Sequence, residues 1–401
     1  MTPERPNLTI AAALGCLSAL GPLAIDMYLP ALPAMAADLA ANEGSIQFSL
    51  MVFFTGLTLG QLIYGPLSDR LGRKPLIYFG LLLFSLASLA CAYVTGFGGL
   101  LLARFIQGLG GSIGMVIALA VVRDLYTGQA AARLIALVLL VLGLSPVLAP
   151  LAGSALLAFR GWRMIFFALA AIGIVIFVFI AAALPETRML ELRQTSRPSR
   201  AFRQYLHLLT SRQFIPFVLV SAIAQGGFFA YISASASVFI SIHGLSPTAY
   251  SILFALNAVG LVTSNQLSPV AMRRWGAYAV VRVAATTYSA CGLLLLVMEL
   301  AGFASLLSHC VLFMLVVASV GLIMPVLSVR AMASFGQISG TAAALLGAIQ
   351  FIGAAVASGI VGSLANGTAL PLVSMIAVCG VLALVIALRM FPVEQTPSSA
   401  H

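Results

Sequence analysis

The stretch GPLSDRLGRK, residues 65–74, carries four charged side chains in a chain of 401 residues that is otherwise mostly apolar. The twenty residues before it and the twenty after it carry none. An apolar run of about 20 residues is long enough to cross the hydrocarbon core of a bilayer as a helix. The pattern therefore predicts a tight, charged turn between two membrane-spanning helices.

The composition extends this interpretation to the whole chain. Hydrophobic residues make up 62% of the sequence, charged residues only 7%, and the mean hydropathy is +1.12, which excludes a water-soluble globule. We predict an all-α integral membrane protein whose first apolar segment is an uncleaved span, since it is too long for a signal-peptide core. The twelve predicted spans lie at about residues 8–29, 45–65, 75–96, 98–122, 131–158, 162–184, 214–240, 248–271, 277–299, 303–328, 340–364 and 371–391.

The basic residues predict the orientation of these spans. Lys and Arg near span ends are retained in the cytoplasm. With the N-terminus inside, most of the twenty basic residues fall on the cytoplasmic side, and only Arg160 and Arg163 face outward. We therefore expect a multi-pass protein of a bacterial inner membrane with both termini in the cytoplasm. The net charge of +10 follows from this topology, so nucleic-acid binding is a poor interpretation of it.

The widest polar interval, residues 185–213, predicts a cytoplasmic linker between two bundles. It separates residues 1–184 from residues 214–401, with six predicted spans on each side. A weak repeat supports the division, because SPVAMRRWG at residues 268–276 follows span eight as residues 65–74 follow span two. Two pseudo-symmetric halves with a binding site between them are a known transporter plan.

Asp26 is the single acidic residue well inside a predicted span. An ionisable group at membrane depth is a functional-site hypothesis by default. The nearest cation within a span is Arg104, and we expect the two to act as a pair: burial favours the neutral carboxyl group, whereas a nearby cation favours the charged one. Such a balance points to proton-driven transport. The alternative for Arg104 is that its long side chain extends outward to the interface.

Further candidate binding residues are polar and aromatic groups within spans, which would be costly facing lipid. Packing or hydrogen bonding between helices is the alternative for each of them. With Asp26, the predicted binding set is Tyr28, Gln225, Phe228, Phe229, Tyr231 and Asn257.

Enzymatic and metal-binding functions have little support in the sequence. The five cysteines lie in apolar spans without metal-ligand spacing, and the four histidines are scattered, so we predict neither metal nor cofactor. A membrane enzyme would need a nucleophile or paired carboxylates near a membrane face, and Asp26 stands alone. The chain also lacks the G-x-x-x-x-G-K-[ST] loop that an ATP-driven pump requires.

Residues 65–74, read as Gly65-x-x-x-Asp69-Arg70-x-Gly72-Arg73-Lys74, resemble the signature loop of the major facilitator superfamily. Three further features are similar to its twelve-span drug:proton antiporters, in particular the Bcr/CflA group for bicyclomycin, chloramphenicol and sulfonamide resistance. They are Arg104-x-x-Gln107-Gly108-x-Gly110, DMYLPALP at residues 26–33, and a span five rich in proline and small residues. The resemblance implies two six-helix bundles that give alternating access to a central site.

The resemblance also implies roles for particular residues. It makes the loop a latch that joins the two halves on the cytoplasmic side, with simple topological anchoring as the alternative. Asp124 is a natural partner for Arg70 or Arg73, and Asp69 is a candidate for the positive N-terminal end of span eleven near Gly340. The predicted latch residues are Gly65, Asp69, Arg70, Gly72, Arg73 and Asp124.

The resemblance assigns two further roles. Arg104 would influence proton coupling together with Asp26. In span five, Ala149, Pro150 and Gly153 would seal the central cavity against proton leak, although ordinary close packing explains the same small residues equally well.

The function that these features predict is proton-coupled efflux of small-molecule drugs, by a monomer in the lipid bilayer with drugs and protons as its ligands. The alternative is a proton symporter or facilitator for a small metabolite, which the span-five pattern disfavours. Related multidrug exporters carry a second acidic residue earlier in span one, where this chain has Ser18. This difference favours neutral or zwitterionic substrates over cationic ones.

Overall fold

The computed structural model describes residues 7–195 and 198–390, and within them it contains twelve helices long and apolar enough to cross a membrane. The predicted cytoplasmic termini, residues 1–6 and 391–401, and linker residues 196 and 197 lie outside that description. We number the spanning helices α1 to α12 in chain order. Their bounds are Leu8–Asp26, Glu43–Leu71, Arg73–Tyr93, Phe97–Leu125, Gly128–Arg160, Arg163–Ala183, Ile215–Ala236, Pro247–Trp275, Ala277–Leu300, Leu306–Ala333, Ser339–Ser363 and Leu370–Met390.

The helix pairings repeat between the two halves of the chain. In the first half α1 packs on α4, α5 and α6, α2 packs on α4, and α3 packs on α4 and α6. Each pairing recurs six helices later in the second half. The halves meet where α2 packs on α11 and where α5 packs on α8. The all-α fold of twelve spans predicted from the composition is therefore confirmed.

The charged stretch at residues 65–74 is mostly helix rather than loop. Helix α2 continues through Pro66 to Leu71, and α3 begins at Arg73. Gly72 alone makes the turn, with φ of 103°, a conformation that favours glycine. Gly276 makes the equivalent turn between α8 and α9 with φ of 82°. Gly65, the first residue of the predicted turn, lies inside α2 instead.

Two spans lose regular α-helical geometry at the same end of the bundle. Helix α1 ends at Asp26, and a 3₁₀ turn at Leu29–Ala31 leads into a short helix, Leu32–Asp38. Helix α7 continues into a π-helical segment, Ser237–Ile242. We call this the opposite end, and the end that carries Arg73 the basic end.

The linker contains two short helices, Leu190–Thr195 and Pro198–Leu209. The second contacts both halves at the basic end. The Tyr205 hydroxyl donates to the Leu62 carbonyl of α2 at 3.3 Å, and Thr341 Oγ1 of α11 donates to Gln204 Oε1 at 2.8 Å. The linker helix therefore bridges the same two helices that join the halves.

Glycines let α4 lie close to its neighbours in the first half. A Cβ on Gly114 would stand 1.9 Å from the Leu17 carbonyl oxygen of α1, and one on Gly108 would stand 2.2 Å from the Phe53 carbonyl oxygen of α2. Such backbone contacts are typical of membrane helices, where small residues replace the hydrophobic driving force. Helix α4 is thereby positioned to bring Arg104 against α1.

Candidate functional site

A cavity of about 480 Å³ lies between the two halves, and we call it the central cavity. Helices α1, α4 and α5 contribute its walls from the first half, and α7, α8, α10 and α11 from the second. Six of the seven predicted binding residues line it: Asp26, Gln225, Phe228, Phe229, Tyr231 and Asn257. The cavity thus combines residues that are far apart in sequence.

Asp26 is the last residue of α1 and is only 3% exposed. Asp26 lines the central cavity together with residues of the second half, whereas the carbonyl of Ala24, two residues earlier, accepts from Arg104 of α4. Within the described residues the Asp26 carboxyl group has no ion pair and no side-chain hydrogen bond. Tyr231 and Tyr250 of the second half lie within electrostatic range of it. Asp26 is therefore a buried, unpaired acid facing the other half of the protein.

Arg104 is fully buried, so the alternative in which it extends outward is excluded. Its Nη1 donates to the Ala24 carbonyl at 3.1 Å and to Gln107 Oε1 at 2.5 Å. The Gln107 amide in turn donates to Ser88 Oγ at 2.7 Å. The expected pairing with Asp26 is not formed, because Arg104 bonds the α1 backbone two residues before the carboxyl group.

Aromatic rings surround the guanidinium group of Arg104. Its central carbon lies 4.2 Å from the ring centroids of both Tyr28 and Phe53, and 5.8 Å from that of Phe166. Aromatic faces attract a cation, and more strongly where water is excluded. Arg104 therefore ties together helices of the first half without a carboxylate partner.

Tyr28 does not line the central cavity, contrary to the sequence-based expectation. It is fully buried, its ring packs on Arg104, and its hydroxyl lies 3.2 Å from Ser49 Oγ. Helix α1 ends at Asp26, so Tyr28 lies beyond its last regular turn and is directed into the first half. Tyr28 belongs to the interior of the first half.

Only some of the polar side chains that the second half contributes to the central cavity are hydrogen-bonded. Asn257 Nδ2 donates to the Tyr231 hydroxyl at 2.6 Å. Gln225 Oε1 is buried and has no hydrogen-bond partner among the described residues. Most of the remaining wall is apolar, and Phe254, Phe351 and Met115 on it were not predicted. The sequence shows that these aromatic and Met residues lie within spans. Which of them face the cavity depends on helix packing, which the sequence does not show.

At the basic end, Arg73 is the centre of an ion-pair cluster. Its side chain lies 2.9 Å from Asp69, 2.9 Å from Asp124 and 2.6 Å from Ser68 Oγ. Of the two arginines expected to pair with Asp124, Arg73 does so. Arg70 is exposed and Asp69 pairs with Arg188 at 3.7 Å as well. Buried at the start of α3, Arg73 connects α2, α4 and the linker.

Glu186 completes this cluster and was missed by the sequence analysis. Its carboxylate accepts from the backbone N–H groups of Arg73 and Lys74 and pairs with Arg193 at 3.3 Å. Burial tends to raise the pKa of Glu186, but the backbone N–H donors and the Arg193 charge outweigh it and lower the pKa below its usual value. The carboxylate is thus held ionised at the N-terminus of α3.

The ion-pair partners of Asp69 are Arg73, in the first half, and Arg188, in the linker. Neither of them lies on α11. Asp69 and Gly340 face a common cavity of about 240 Å³, but Asp69 is bonded to Arg73 and Arg188. Arg123 instead lies beside Gly340, with Nη2 3.4 Å from the position of a Cβ there. The expected contact of Asp69 with the start of α11 is therefore replaced by one from Arg123.

Helix α5 crosses α1 next to Asp26. A Cβ on Gly153 would stand 1.7 Å from the Met27 carbonyl oxygen, so glycine is required for this crossing. Ala149 and Pro150 are buried on the same helix. The three residues predicted to seal the cavity thus lie on the helix that packs against α1, the helix that carries Asp26. Their role as a seal stays a prediction.

Two histidines that appear scattered in the sequence meet at the opposite end. His243 Nε2 lies 3.3 Å from His309 Nδ1, and His309 Nε2 lies 3.7 Å from Glu299. Burial lowers the pKa of His243, the His309 ring lowers it further, and Glu299 opposes both. The part of the chain that the structure describes contains no group of three or more residues arranged to hold a metal ion.

The chain is similar to known proteins over most of its length. A family model described as Major Facilitator Superfamily matches residues 14–358. A bicyclomycin resistance protein homolog of Haemophilus influenzae is 29% identical, covering 95% of this chain and 96% of its own. A chloramphenicol resistance protein of Pseudomonas aeruginosa is 31% identical, covering 81% and 77%. The solved xylose transporter of E. coli, in a partially occluded inward-open conformation, has a TM-score of 0.75 at 14% identity and covers 96% and 98%.

The first test concerns Arg104. Replacing it by Lys keeps the charge but loses the planar group that stacks between the rings of Tyr28 and Phe53, so the first half should be destabilised by about 2 kcal/mol. Thermal unfolding of purified protein in detergent measures this. Arg160→Lys is the matched control, because Arg160 is exposed and lies 5.7 Å from a single ring. Equal unfolding temperatures for the two variants would contradict the stacking account.

Proposed function

Since the chain belongs to the Major Facilitator Superfamily, we propose that it exports small-molecule antibiotics in exchange for protons. The family and its relatives make it a multi-pass membrane transporter rather than an enzyme. Relatives that match most of its length are named for resistance to bicyclomycin and chloramphenicol. Drug efflux is therefore the transport function that the comparisons favour.

The observation that carries the proton-coupling proposal is the isolation of Asp26 in the central cavity. A carboxylate without a counter-ion is costly in an apolar cavity. Either a proton or a hydrogen-bond donor of a bound drug removes that cost. A protonated carboxyl group accepts a hydrogen bond more weakly than a carboxylate does, so protonation and drug binding oppose each other at Asp26. Competition of this kind gives antiport.

The energy available from such an exchange is sufficient for useful export. One proton moving down the membrane potential contributes about 2.3 kcal/mol per 100 mV. That energy corresponds to a drug concentration ratio of about fiftyfold. A single titratable site per cycle therefore suffices for resistance.

The lining of the central cavity supports uncharged, hydrogen-bonding aromatic drugs as the substrate class. Asp26 is the only charged residue on the part of the wall that the structure describes. Phe228, Phe229 and Phe254 offer ring surfaces, and Gln225 and Asn257 offer amide groups. A dicationic or strongly acidic compound would find no second charge to bind.

We assign the basic end to the cytoplasm of a bacterial cell, because Lys and Arg are retained there. At the opposite end, the 3₁₀ turn Leu29–Ala31 of the first half packs against α7 and α8 of the second half. At the basic end, the Arg73 cluster would rearrange when the halves close there. One chain holds the complete cavity, so a monomer is sufficient for the cycle.

The decisive variant is Asp26→Asn, expressed in a bacterium that lacks its own efflux pumps. Wild type should raise the inhibitory concentration of chloramphenicol severalfold, and both a protonophore and Asp26→Asn should abolish the increase. Asp38→Asn is the control, since Asp38 forms a half-exposed pair with Arg163 outside the central cavity and its loss should leave resistance intact. Resistance retained by Asp26→Asn would refute coupling through this residue, and drug accumulation instead of extrusion would indicate symport.

A second test contrasts two tyrosines. Tyr231→Phe removes the hydroxyl that accepts from Asn257 in the central cavity, whereas Tyr28→Phe removes a hydroxyl that lies 3.2 Å from Ser49 Oγ in the interior of the first half. One hydrogen bond contributes about 1 kcal/mol, so chloramphenicol should bind Tyr231→Phe about fivefold more weakly and Tyr28→Phe as tightly as wild type. Equilibrium binding to purified protein decides this. A weaker affinity in Tyr28→Phe alone would place the binding site elsewhere.

The cluster at the basic end is tested by Asp69→Asn. The amide keeps the size of the side chain but loses the ion pairs with Arg73 and Arg188. We expect normal membrane insertion and thermal stability with at least a tenfold loss of transport rate in proteoliposomes, and partial recovery in Asp69→Glu. A normal transport rate for Asp69→Asn would leave the cluster with an anchoring role only.

A further inference from the structure

A second cavity, of about 550 Å³, lies at the opposite end of the bundle, and we call it the outer pocket. Its walls come from the start of α2, the π-helical end of α7, the end of α11 and the start of α12. No described residue lines both it and the central cavity. The two cavities are therefore separate compartments.

Three phenylalanines, which we call the ring cluster, lie between these compartments. Phe54 of α2 is 4.6 Å from Phe229 of α7 and 5.9 Å from Phe351 of α11, and the latter two are 5.5 Å apart. Phe229 and Phe351 line the central cavity. The outer pocket continues along the same three helices, with Gln47 two turns, or about 10 Å, before Phe54. The ring cluster thus separates the two cavities and includes helices of both halves.

One residue of the outer pocket has a buried hydrogen-bond acceptor that no donor of the described residues reaches. Gln47 lines the pocket, is only 3% exposed, and its Oε1 has no hydrogen-bond partner among the described residues. Buried side-chain oxygens are nearly always hydrogen-bonded, so an unpartnered one on a residue that lines a cavity calls for a donor from outside the protein. A ligand that donates a hydrogen bond would satisfy it.

The rest of the outer pocket defines the chemistry of that ligand. Ser237 and Ser241 lie on the π-helical segment, a geometry often found at functional sites, and both line the pocket. Asn42 and Thr368 add further uncharged polar groups. None of the described lining residues is Asp, Glu, Lys or Arg. The pocket therefore suits an uncharged molecule with hydroxyl or amide groups.

We propose that the outer pocket is a second, weaker binding site for uncharged, hydrogen-bond-donating drugs, entered from the central cavity when the ring cluster separates. The proposal rests on the drug-export function and extends it to a release site. The two sites differ in one respect that matters for export, since the central cavity holds the acid and the outer pocket holds no titratable group. Protonation of Asp26 would therefore expel a drug from the first site without affecting the second.

The test is equilibrium binding of radiolabelled chloramphenicol to full-length protein in nanodiscs, with empty nanodiscs subtracted. Wild type should bind two molecules per chain with different affinities. Ser237→Trp, which fills the outer pocket, should bind one. Gln47→Leu should weaken only the second site, at least fivefold. Gln61→Leu is the matched control, because Gln61 is a 4% exposed glutamine of the same helix outside both cavities, and it should keep both sites.

The outcomes separate this proposal from the export function. A single site in wild type, or two unchanged sites in both Ser237→Trp and Gln47→Leu, overturns the second site and leaves the first intact. Absence of any binding contradicts the central site as well, and with it the proposed function. If Ser237→Trp fails to fold, as judged by gel filtration and thermal unfolding, Gln47→Leu against Gln61→Leu decides the question.

Discussion

The proposed site depends on how the guanidinium group of Arg104 is bound within the first half. It is buried among the rings of Tyr28 and Phe53 and bonded to the backbone of α1 at Ala24. A cation stabilised in this way does not need the nearby carboxylate. Asp26, half a turn further along α1, is consequently left unpaired and faces the second half. Because no permanent ion pair occupies the Asp26 carboxyl group, it is free to bind a proton or a drug in the central cavity.

Close backbone contacts keep this arrangement rigid within the first half. Gly114 lets α4 touch α1, and Gly153 lets α5 touch the Met27 carbonyl immediately after the acid. Contacts between the halves include aromatic rings, such as Phe54 against Phe229, the linker helix at the basic end, and a close approach of Gly44 of α2 to Gly362 of α11. Rigid halves that move against each other are what alternating access requires.

Much of the fold could be predicted from the sequence, because a bilayer imposes length and composition on every span. The site was predictable where a helix stays regular, as for Gln225 through Tyr231 on α7. Tyr28 was placed wrongly because the helix ends two residues earlier. Charge alone suggested that Asp26 and Arg104 would pair, whereas direction around α1 keeps them apart. Glu186 and the His243–His309 contact join positions far apart in the chain, and no local pattern reveals such contacts.

The central claim is that drug and proton exchange at one carboxyl group, and proton release on drug binding tests it most directly. Purified protein in weakly buffered solution is mixed with saturating chloramphenicol, at a pH at which wild type carries the proton, and the protons released are counted with an indicator dye. The account predicts about one proton per chain from wild type and none from Asp26→Asn, with chloramphenicol bound by both. Equal proton release from the two proteins, or binding to wild type without release at any pH, would contradict it.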